Sequence, residues 1–282
     1  MKTSRSKMEP IYKTQIIKYK GEQKPIFTTK ITKFRGVNKE VVDDILVREI
    51  KLEIYINDKK FGAVMATPTD QKALAVGYLI SENVITKPED IAEVKLSNDE
   101  LSVYVSAKVN EKRLEQFDEE KVIISGCGRS STANIDPQAM AARAVKSGAK
   151  FNKDMILTQM SEFYTQCELY EMTGCVHTAK LFVSEDKFYI GEDIAQHNTI
   201  DKAVGKAVLD GANLANSFLM VSGRLSSEMV AKAVMHGVPA LISRTAPTSL
   251  GVVIARKFEL TLCGFARGEN INVYSGEERI YE

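Results

Sequence analysis

The most constraining feature of this 282-residue sequence is a regular exchange of helical and strand-like segments in its C-terminal third. Three segments carry the apolar spacing of helices, and four short apolar runs between and after them are typical of strands. In chain order, the predicted elements cover residues 199–209, 217–221, 226–236, 240–243, 248–258, 260–264 and 271–274. This alternation predicts a partly parallel sheet with helices packed on it, and the last strand closes one edge.

The sequence before this region predicts a smaller α+β unit and a connecting segment. Two pairs of alternating segments, each joined by a polar turn, predict β-hairpins, and an apolar run after Thr67-Pro68-Thr69-Asp70 predicts a capped helix. A further helix and two more strands follow. The predicted ranges are 51–55 with 61–66, 73–82, 92–96 with 101–105, 154–174, 178–183 and 188–191. We therefore assign the fold to the α/β class, α+β overall.

Composition divides the chain into four parts. Residues 1–44 are rich in Lys and Arg and predict a basic, flexible leader, with a docking arm as the less favoured alternative. Residues 45–120 form the small α+β domain, residues 121–135 form a loop around a cysteine, and residues 136–282 form the larger α/β domain.

Charge and hydropathy argue against two classes of partner. Lys and Arg total 38 against 37 acidic residues, a formal net charge of +1, so the overall charge favours neither nucleic acid nor an acidic membrane surface. No apolar stretch is long enough for a secretory signal or a membrane span. We expect a soluble cytoplasmic protein.

Cys127 is the cysteine with the most reactive setting. The four cysteines share no C-x-x-C spacing, so we interpret them as separate thiols in a reducing compartment. Gly126 and Gly128 leave the Cys127 sulfur open to close approach, and Arg129 favours its thiolate. Such a thiolate can attack a persulfide and hold the transferred sulfur atom. The alternative is an inert, buried thiol.

The other three cysteines are weaker candidates. Cys167 lies in a predicted helix and Cys263 in a predicted strand, so we interpret both as packing residues. Cys175 lies at a helix-to-strand junction, and its role stays open. The cysteines form no ligand-type pair with His177 or His197 at short spacing, so we expect no zinc site.

Three loops follow successive predicted strands and should meet at one edge of the sheet. They cover residues 222–224, 244–249 and 265–270. Arg224, Arg244 and Arg267 would then share a crevice with hydroxyl groups and helix N-termini, which suits phosphate or pyrophosphate. The alternative of ordinary helix caps with surface arginines stays open. Residues 192–201 add a polar string that is either a wall of this site or a capped first helical turn.

Several further segments form an ordered series of motifs. They are Met65-Ala66-Thr67-Pro68, Gly77-Tyr78-Leu79-Ile80-Ser81-Glu82, Thr173-Gly174-Cys175-Val176-His177, Glu192-Asp193-Ile194-Ala195-Gln196-His197-Asn198 with Asp201-Lys202, Ser222-Gly223-Arg224, Ala246-Pro247-Thr248-Ser249, Gly264-Phe265 and Asn272-Val273-Tyr274. In these motifs, from about Val47 to Ile280, the sequence resembles the formate dehydrogenase accessory sulfurtransferase family, FdhD/NarQ. An ordered series over most of a chain is far more specific than any single motif.

The resemblance implies a sulfurtransferase that acts as a sulfur carrier. Such a protein takes sulfur from the persulfide of a cysteine desulfurase and passes it to the molybdenum of bis(molybdopterin guanine dinucleotide) before this cofactor enters the formate dehydrogenase apoenzyme. The resemblance also implies a cytidine-deaminase-like, three-layer C-terminal domain and a homodimer. It places the persulfide on Cys127 and the cofactor on Arg224 and on a six-residue segment. The segment comprises Phe265, Ala266, Arg267, Gly268, Glu269 and Asn270.

Two departures from the family pattern narrow this expectation. Many members have a second cysteine in the thiol loop, where this chain has Ser130, so transfer would rest on Cys127 alone unless Cys175 substitutes. Cys175 itself stands where we expect glycine. The implied fold does not imply deamination, because His177-Thr178-Ala179 lacks the glutamate of His-x-Glu and no Pro-Cys-x-x-Cys follows.

Two hypotheses of function therefore compete. The leading one is sulfur transfer to the molybdenum cofactor through Cys127. The alternative is a chaperone that binds and delivers the cofactor without moving sulfur, in which case Cys127 is incidental. A nucleotide hydrolase or deaminase is disfavoured because the sequence offers no set of metal ligands.

Overall fold

The structure is a computed structural model that describes residues 24–120, 137–143 and 148–282. The expected thiol loop at 121–135, including Cys127, and the first part of the expected leader, residues 1–23, lie outside the described residues. The fold is mixed α/β, as expected from the sequence.

The chain begins with a hairpin of two long strands, β1 (Ile26–Arg35) and β2 (Asn38–Val47). The strands pair antiparallel along their full length, from Ile26 with Val47 to Arg35 with Asn38. The expectation of a flexible leader over 1–44 is therefore wrong for this part. The basic composition concealed a strand pattern rich in Thr, Ile and Val, residues that favour strands, and Gly36 with a φ of 61° supplies the turn.

A four-stranded sheet and two helices, the first of them buried, form the small α+β unit. Its elements are β3 (Ile50–Ile56), β4 (Lys59–Ala66), α1 (Gln71–Ser81), β5 (Ile91–Leu96), β6 (Ser102–Ala107) and α2 (Glu111–Glu120). The strand order is β4-β3-β6-β5, with antiparallel pairs at both ends and a parallel pair, β3 with β6, in the middle. The predicted hairpins and helix are confirmed. Asn57 and Asp58 both have positive φ, as a tight hairpin turn requires.

The predicted cap of α1 differs from the observed one. No side chain caps the helix, and Asp70 adopts a left-handed conformation. The side chains of Asp70 and Thr67, which could have capped the helix, face the large domain instead. The Asp70 carboxylate lies 2.6 Å from Lys206 Nζ, and Thr67 Oγ1 accepts the N–H of Ile194 at 3.2 Å.

The connection to the large domain contains a broken helix. The elements of this connection are α3 (Pro137–Arg143), β7 (Phe151–Asn152), α4 (Lys153–Ser161) and α5 (Glu168–Thr173), and the break separates α4 from α5. A single helix over 154–174 was expected, but Gln166 has a φ of 68°, and the Glu192 carboxylate accepts the N–H groups of Leu169 and Tyr170 at the start of α5. This distant carboxylate favours a new helix start.

A six-stranded sheet with helices on both faces forms the large domain. Its strands are β8 (His177–Phe182), β9 (Phe188–Asp193), β10 (Phe218–Val221), β11 (Ala240–Ser243), β12 (Thr261–Arg267) and β13 (Asn270–Ser275), and its helices are α6 (Gln196–Leu209), α7 (Ser227–Met235) and α8 (Ser249–Lys257). The order is β13-β12-β11-β10-β8-β9, with β10, β11 and β12 parallel and the other pairs antiparallel. A short last strand, β14 (Ile280–Tyr281), pairs with β7. The predicted partly parallel sheet is confirmed.

Alternating strand residues divide the core between the two faces of this sheet. Leu219 and Val221 pack with side chains from α6, α7 and α8, whereas Phe218 and Met220 pack with side chains from α4. All four are buried, so both faces of the sheet are covered. The cytidine-deaminase-like arrangement of these layers stays a prediction.

Helices α1 and α6 join the two units through a crossing that only glycine permits. A Cβ on Gly77 would lie 2.6 Å from the carbonyl carbon of Asp201 and closer still to its oxygen. A Cβ on Gly205 would lie 2.6 Å from the carbonyl carbon of Ala73 in the same way. The backbones are in direct contact, so the crossing fixes the small unit against the large domain.

Candidate functional site

A fully buried ion pair connects the small unit with one end of the sheet. Lys202 Nζ lies 2.7 Å from Asp193 Oδ2, and both side chains are fully buried. Lys202 also donates to the Thr67 carbonyl and Thr69 Oγ1, each at 3.0 Å. Asp193 accepts the N–H of Thr67 at 3.0 Å and the side-chain amide of Asn198 at 2.9 Å. These bonds compensate both buried charges and fix the end of β9.

A second buried group extends the network along α6. Asp201 accepts from Lys232 at 2.7 Å and from His236 Nε2 at 3.0 Å, and Lys232 donates to Ser81 Oγ at 2.8 Å. Burial alone would raise the pKa of Asp201, but Lys232 and His236 outweigh it and lower that pKa. The sequence analysis named Asp193, Asp201 and Lys202 only as part of a polar string and a motif, and it did not predict that they would form buried ion pairs. The available signal was the adjacent opposite charges Asp201 and Lys202 among the apolar residues of a predicted helix, because buried charges normally occur in pairs.

The loops after β10, β11 and β12 lie side by side, as predicted. Ser243 Oγ donates to the Gly223 carbonyl at 2.7 Å. Leu225 N–H donates to the Ala246 carbonyl at 3.1 Å, and Phe265 N–H donates to the Thr245 carbonyl at 3.1 Å. The carboxyl ends of the parallel strands therefore form one continuous edge, which we call the loop edge (residues 222–225, 243–248 and 264–267).

Two helices start at the loop edge with side-chain caps. Ser226 Oγ accepts the N–H of Met229 at 3.4 Å, and Thr248 Oγ1 accepts the N–H of Gly251 at 3.1 Å. Helix α6 also starts on this side, after Ala195, without a side-chain cap. Three helix N-termini thus give this edge a positive field that suits an anion.

Two histidines adjoin the loop edge as neutral imidazoles. His177 Nδ1 lies 3.2 Å from Ser222 Oγ, and His197 Nε2 lies 2.8 Å from Glu228 Oε2. Burial lowers the pKa of His177, and nearby Arg224 adds to this effect. Burial, with a contribution from Lys232, lowers the pKa of His197 to about 4. Both rings are therefore uncharged near neutral pH.

The three arginines differ in their surroundings. Arg224 is exposed, and its carbonyl accepts the Gln196 side-chain amide at 2.9 Å. The Arg244 guanidinium lies 5.6 Å from the centre of the Tyr164 ring, and Arg267 is exposed with its guanidinium 5.7 Å from the Phe265 ring. The edge brings their backbones together. Arg244 is half-buried against the Tyr164 ring, whereas the side chains of Arg224 and Arg267 are exposed.

The segment expected to bind the cofactor is a tight hairpin, because both flanking strands extend into the predicted loop at 265–270. Phe265, Ala266 and Arg267 belong to β12, Asn270 begins β13, and Gly268 with a φ of 58° makes the turn. Pairing is irregular between Gly264 and Arg267, and Phe265 has a φ of 50° at this bulge. Ala266 is fully buried, whereas residues 267–270 are exposed. The bulge therefore projects the exposed tip beyond the sheet.

Burial separates the three cysteines that the structure describes. Burial raises the pKa of Cys167 to about 11 and that of Cys263 to about 12. Both thiols are fully buried, so neither forms an accessible thiolate at neutral pH. The interpretation of both as packing residues is confirmed. Cys175 is exposed, between the end of α5 and the start of β8.

The family is decided by a match over most of the chain. A model of the FdhD/NarQ family matches residues 47–281. The chain belongs to the FdhD/NarQ family. The matched segment begins at the last residue of β2, so it includes both the small unit and the large domain.

Relatives in this family match most of this chain over most of their own length. The chain is 40% identical over 238 residues to the sulfur carrier protein FdhD of Wolinella succinogenes, covering 84% of this chain and 83% of that one. It is 33% identical over 241 residues to the protein of the same name from Listeria monocytogenes, covering 85% and 92%. A crystal structure described as that of a formate dehydrogenase accessory protein from Desulfotalea psychrophila is 27% identical with a TM-score of 0.75, and the match covers 92% of this chain and all of that one.

The residues that the structure describes offer neither a membrane-spanning helix nor a cluster of metal ligands. In residues 24–120, 137–143 and 148–282, no helix is long and apolar enough to cross a membrane. Within the same ranges, no group of three or more His, Cys, Asp or Glu residues is placed to hold a metal ion.

Proposed function

We propose that this protein is a sulfur carrier that acts through Cys127 and delivers sulfur to a molybdenum cofactor bound at the loop edge. The observation that carries the proposal is membership of the FdhD/NarQ family, whose relatives are named sulfur carrier proteins. The burial of Cys167 and Cys263 supports it further, because it leaves Cys127 and Cys175 as the candidate thiols. The Gly-Cys-Gly-Arg setting favours Cys127.

The proposed reaction has two balanced steps. The Cys127 thiolate attacks the outer sulfur of a cysteine desulfurase persulfide, which forms the Cys127 persulfide and releases the desulfurase thiolate. The outer sulfur then leaves Cys127 as sulfide, which replaces an oxide ligand of the molybdenum, and that oxide departs as water. Two electrons for this step come from two external thiols, which become a disulfide. The Cys127 thiolate is regenerated.

The substrate of this second step is bis(molybdopterin guanine dinucleotide), on its way to formate dehydrogenase. We assign its phosphate groups to the loop edge, with Arg224 and Arg267 as exposed cations and three helix N-termini beside them. Charge-assisted bonds from arginine to phosphate are stronger than neutral ones. Gly268, Glu269 and Asn270 complete the exposed tip of the β12–β13 hairpin.

The competing function is a chaperone that binds the same cofactor but moves no sulfur. The loop edge supports both functions equally, because phosphate binding there makes no use of a thiol. A test must therefore separate binding from transfer.

The decisive variant is Cys127→Ala. We expect the full-length variant to bind GDP, a probe for the guanine dinucleotide end, with unchanged affinity in calorimetry. It should gain no sulfur adduct at position 127 in mass spectrometry after incubation with a cysteine desulfurase and cysteine. It should also fail to restore formate dehydrogenase activity in a strain that lacks this protein.

Cys175→Ala is the matched control, since it removes the exposed thiol of the described part of the chain. It should keep both the adduct and the rescue. Full rescue by Cys127→Ala would leave the chaperone as the better function. An adduct that maps to Cys175 in the wild type would keep sulfur transfer but move it to a different thiol.

A further inference from the structure

His177, at the start of β8, has one ring nitrogen fixed by a serine. Its ring is half-buried beside the loop edge, and Nδ1 lies 3.2 Å from Ser222 Oγ. Ser222 Oγ accepts the N–H of Thr178 at 3.1 Å, and the Ser222 N–H donates to the Thr178 carbonyl at 2.9 Å. The backbone of β8 therefore holds the serine oxygen in place. The serine proton is left to donate to His177 Nδ1, which makes Nδ1 the acceptor.

The other ring nitrogen of His177, Nε2, then carries the proton of the neutral imidazole. Within the described part of the chain, Nε2 has no hydrogen-bond partner, and solvent reaches it. Burial lowers the pKa of His177, and Arg224, whose side chain is exposed, lies close enough to lower it further. A neutral N–H donor and a guanidinium are therefore both available to a ligand at this end of the loop edge.

We propose that His177 donates from Nε2 to a phosphodiester oxygen of the ligand, beside Arg224, and that the ring takes up a proton from solvent when the phosphate binds. The inference rests on the proposed function for the loop edge as the phosphate site. In the free protein, burial and Arg224 keep the ring neutral. A bound phosphate opposes both effects, because its negative charge compensates Arg224 and favours the imidazolium form. The loop edge should therefore bind a pyrophosphate more tightly as the pH falls.

The other charged or titratable groups around His177 limit where this pH dependence can arise. Asp193, its register partner on β9, raises the pKa of His177 and is already held by its buried ion pair. His197 on α6 has a pKa of about 4, below the range from pH 5 to pH 8. Glu228 on α7 lies 2.8 Å from His197, and burial raises its pKa. Glu228 is therefore the group that an experiment must separate from His177.

The test uses the full-length protein and GDP-mannose as the probe. Both phosphates of GDP-mannose are diesters, so its charge is constant from pH 5 to pH 8, whereas the terminal phosphate of GDP titrates near pH 6, at about the pKa of other phosphate monoesters. Calorimetry should show an affinity that rises about threefold to tenfold from pH 8 to pH 5, since a pKa difference of about one corresponds to a factor of ten. Titrations at pH 6 in two buffers with different ionisation enthalpies should detect the proton uptake.

Nuclear magnetic resonance assigns the proton to a residue. The chain contains three histidines, so that labelling of histidine alone gives a simple spectrum. We expect the pKa of His177 to rise by about one pH unit or more when GDP-mannose binds. His236, which is buried in the network around Asp201, should not respond.

Three variants separate the donor from the charge. His177→Gln keeps a neutral donor that does not titrate, so it should bind more weakly than the wild type, with an affinity that stays constant from pH 8 to pH 5. His177→Ala also removes the donor and should bind more weakly still at each pH. Glu228→Gln is the control, and its affinity should still rise as the pH falls. Circular dichroism checks that each variant is folded, and the wild-type measurements do not depend on any variant.

The outcomes distinguish this inference from the proposed function. A wild type that binds GDP-mannose equally well at pH 5 and pH 8, without proton uptake, would refute the role of His177 and leave the loop edge as the phosphate site. A pH dependence that persists in His177→Gln, or that disappears in Glu228→Gln, would also refute it. A wild type that binds no GDP-mannose at any pH would overturn the phosphate site at the loop edge, and the inference with it.

Discussion

The crossing of α1 and α6 predicts an unusual response to Gly77→Ala. In most helices this change stabilises by about 1 kcal/mol, because alanine has the higher helix propensity. Here the new Cβ would lie 2.6 Å from the carbonyl carbon and 2.7 Å from the Cα of Asp201, where ordinary contacts begin at 3.4 Å. The helices would have to separate by about 1 Å. Overpacking of this kind costs about 1–3 kcal/mol. We expect a cost at the upper end of this range, because the clashing atoms of Asp201 are backbone atoms that cannot rotate away.

The net expectation for Gly77→Ala is a loss of about 2 kcal/mol in the free energy of unfolding, or about 4–8 °C in Tm. Urea denaturation followed by circular dichroism measures the first quantity and calorimetry the second. Gly62→Ala is the control, since no atom lies within 4 Å of its new Cβ, and it should be neutral or slightly stabilising. A Gly77→Ala protein as stable as the wild type would show that the crossing is loose and that the reasoning is wrong.

Two further predictions concern the loop edge. Arg267→Ala should weaken GDP binding by about 1–3 kcal/mol in calorimetry. Arg256→Ala, which removes an exposed cation near the far end of α8, should leave the affinity unchanged. If Arg267→Ala binds GDP as tightly as the wild type, the phosphates bind elsewhere. His197→Gln should flatten the acid limb of the stability curve. Between pH 6.5 and about 4 the unfolded wild type binds a proton that folded His197 does not, so its stability falls by about 2 kcal/mol from pH 7.5 to pH 5. A difference between wild type and variant that stays constant with pH would contradict the buried, neutral imidazole.

The large sheet was predictable from sequence because its strands are short apolar runs between well-marked helices. The strand at 240–243 has the predicted bounds, and the caps at Ser226 and Thr248 follow from local residue types. The N-terminal hairpin was missed because it was grouped with the lysine-rich residues before it, although residues 26–47 themselves contain four Lys or Arg and ten Thr, Ile or Val. Local pattern outweighs composition over such a short segment.

The contacts of the buried polar groups could not be predicted from the local sequence. Thr67 and Asp193 are far apart in the sequence and meet only when both units are folded. The broken helix before β8 has the same origin, because Glu192 caps α5 from a distant strand. Helical periodicity could not reveal a start that depends on a tertiary contact. The loop edge, by contrast, follows from topology, since parallel strands end on one side.

The loop edge depends on the small unit even though its side chains come from the large domain. Asp193 ends β9, and its register partner is His177 at the start of β8, which contacts Ser222 of the loop edge. Asp193 is held in turn by Thr67 and Lys202, and Lys202 lies on the helix that crosses α1. A displacement of α1 is therefore transmitted through the buried ion pair to one end of the loop edge. It follows that the large domain produced alone should lose part of the geometry of its edge, because the charges of Asp193 and Lys202 would lose the Thr67 and Thr69 groups that help to compensate them.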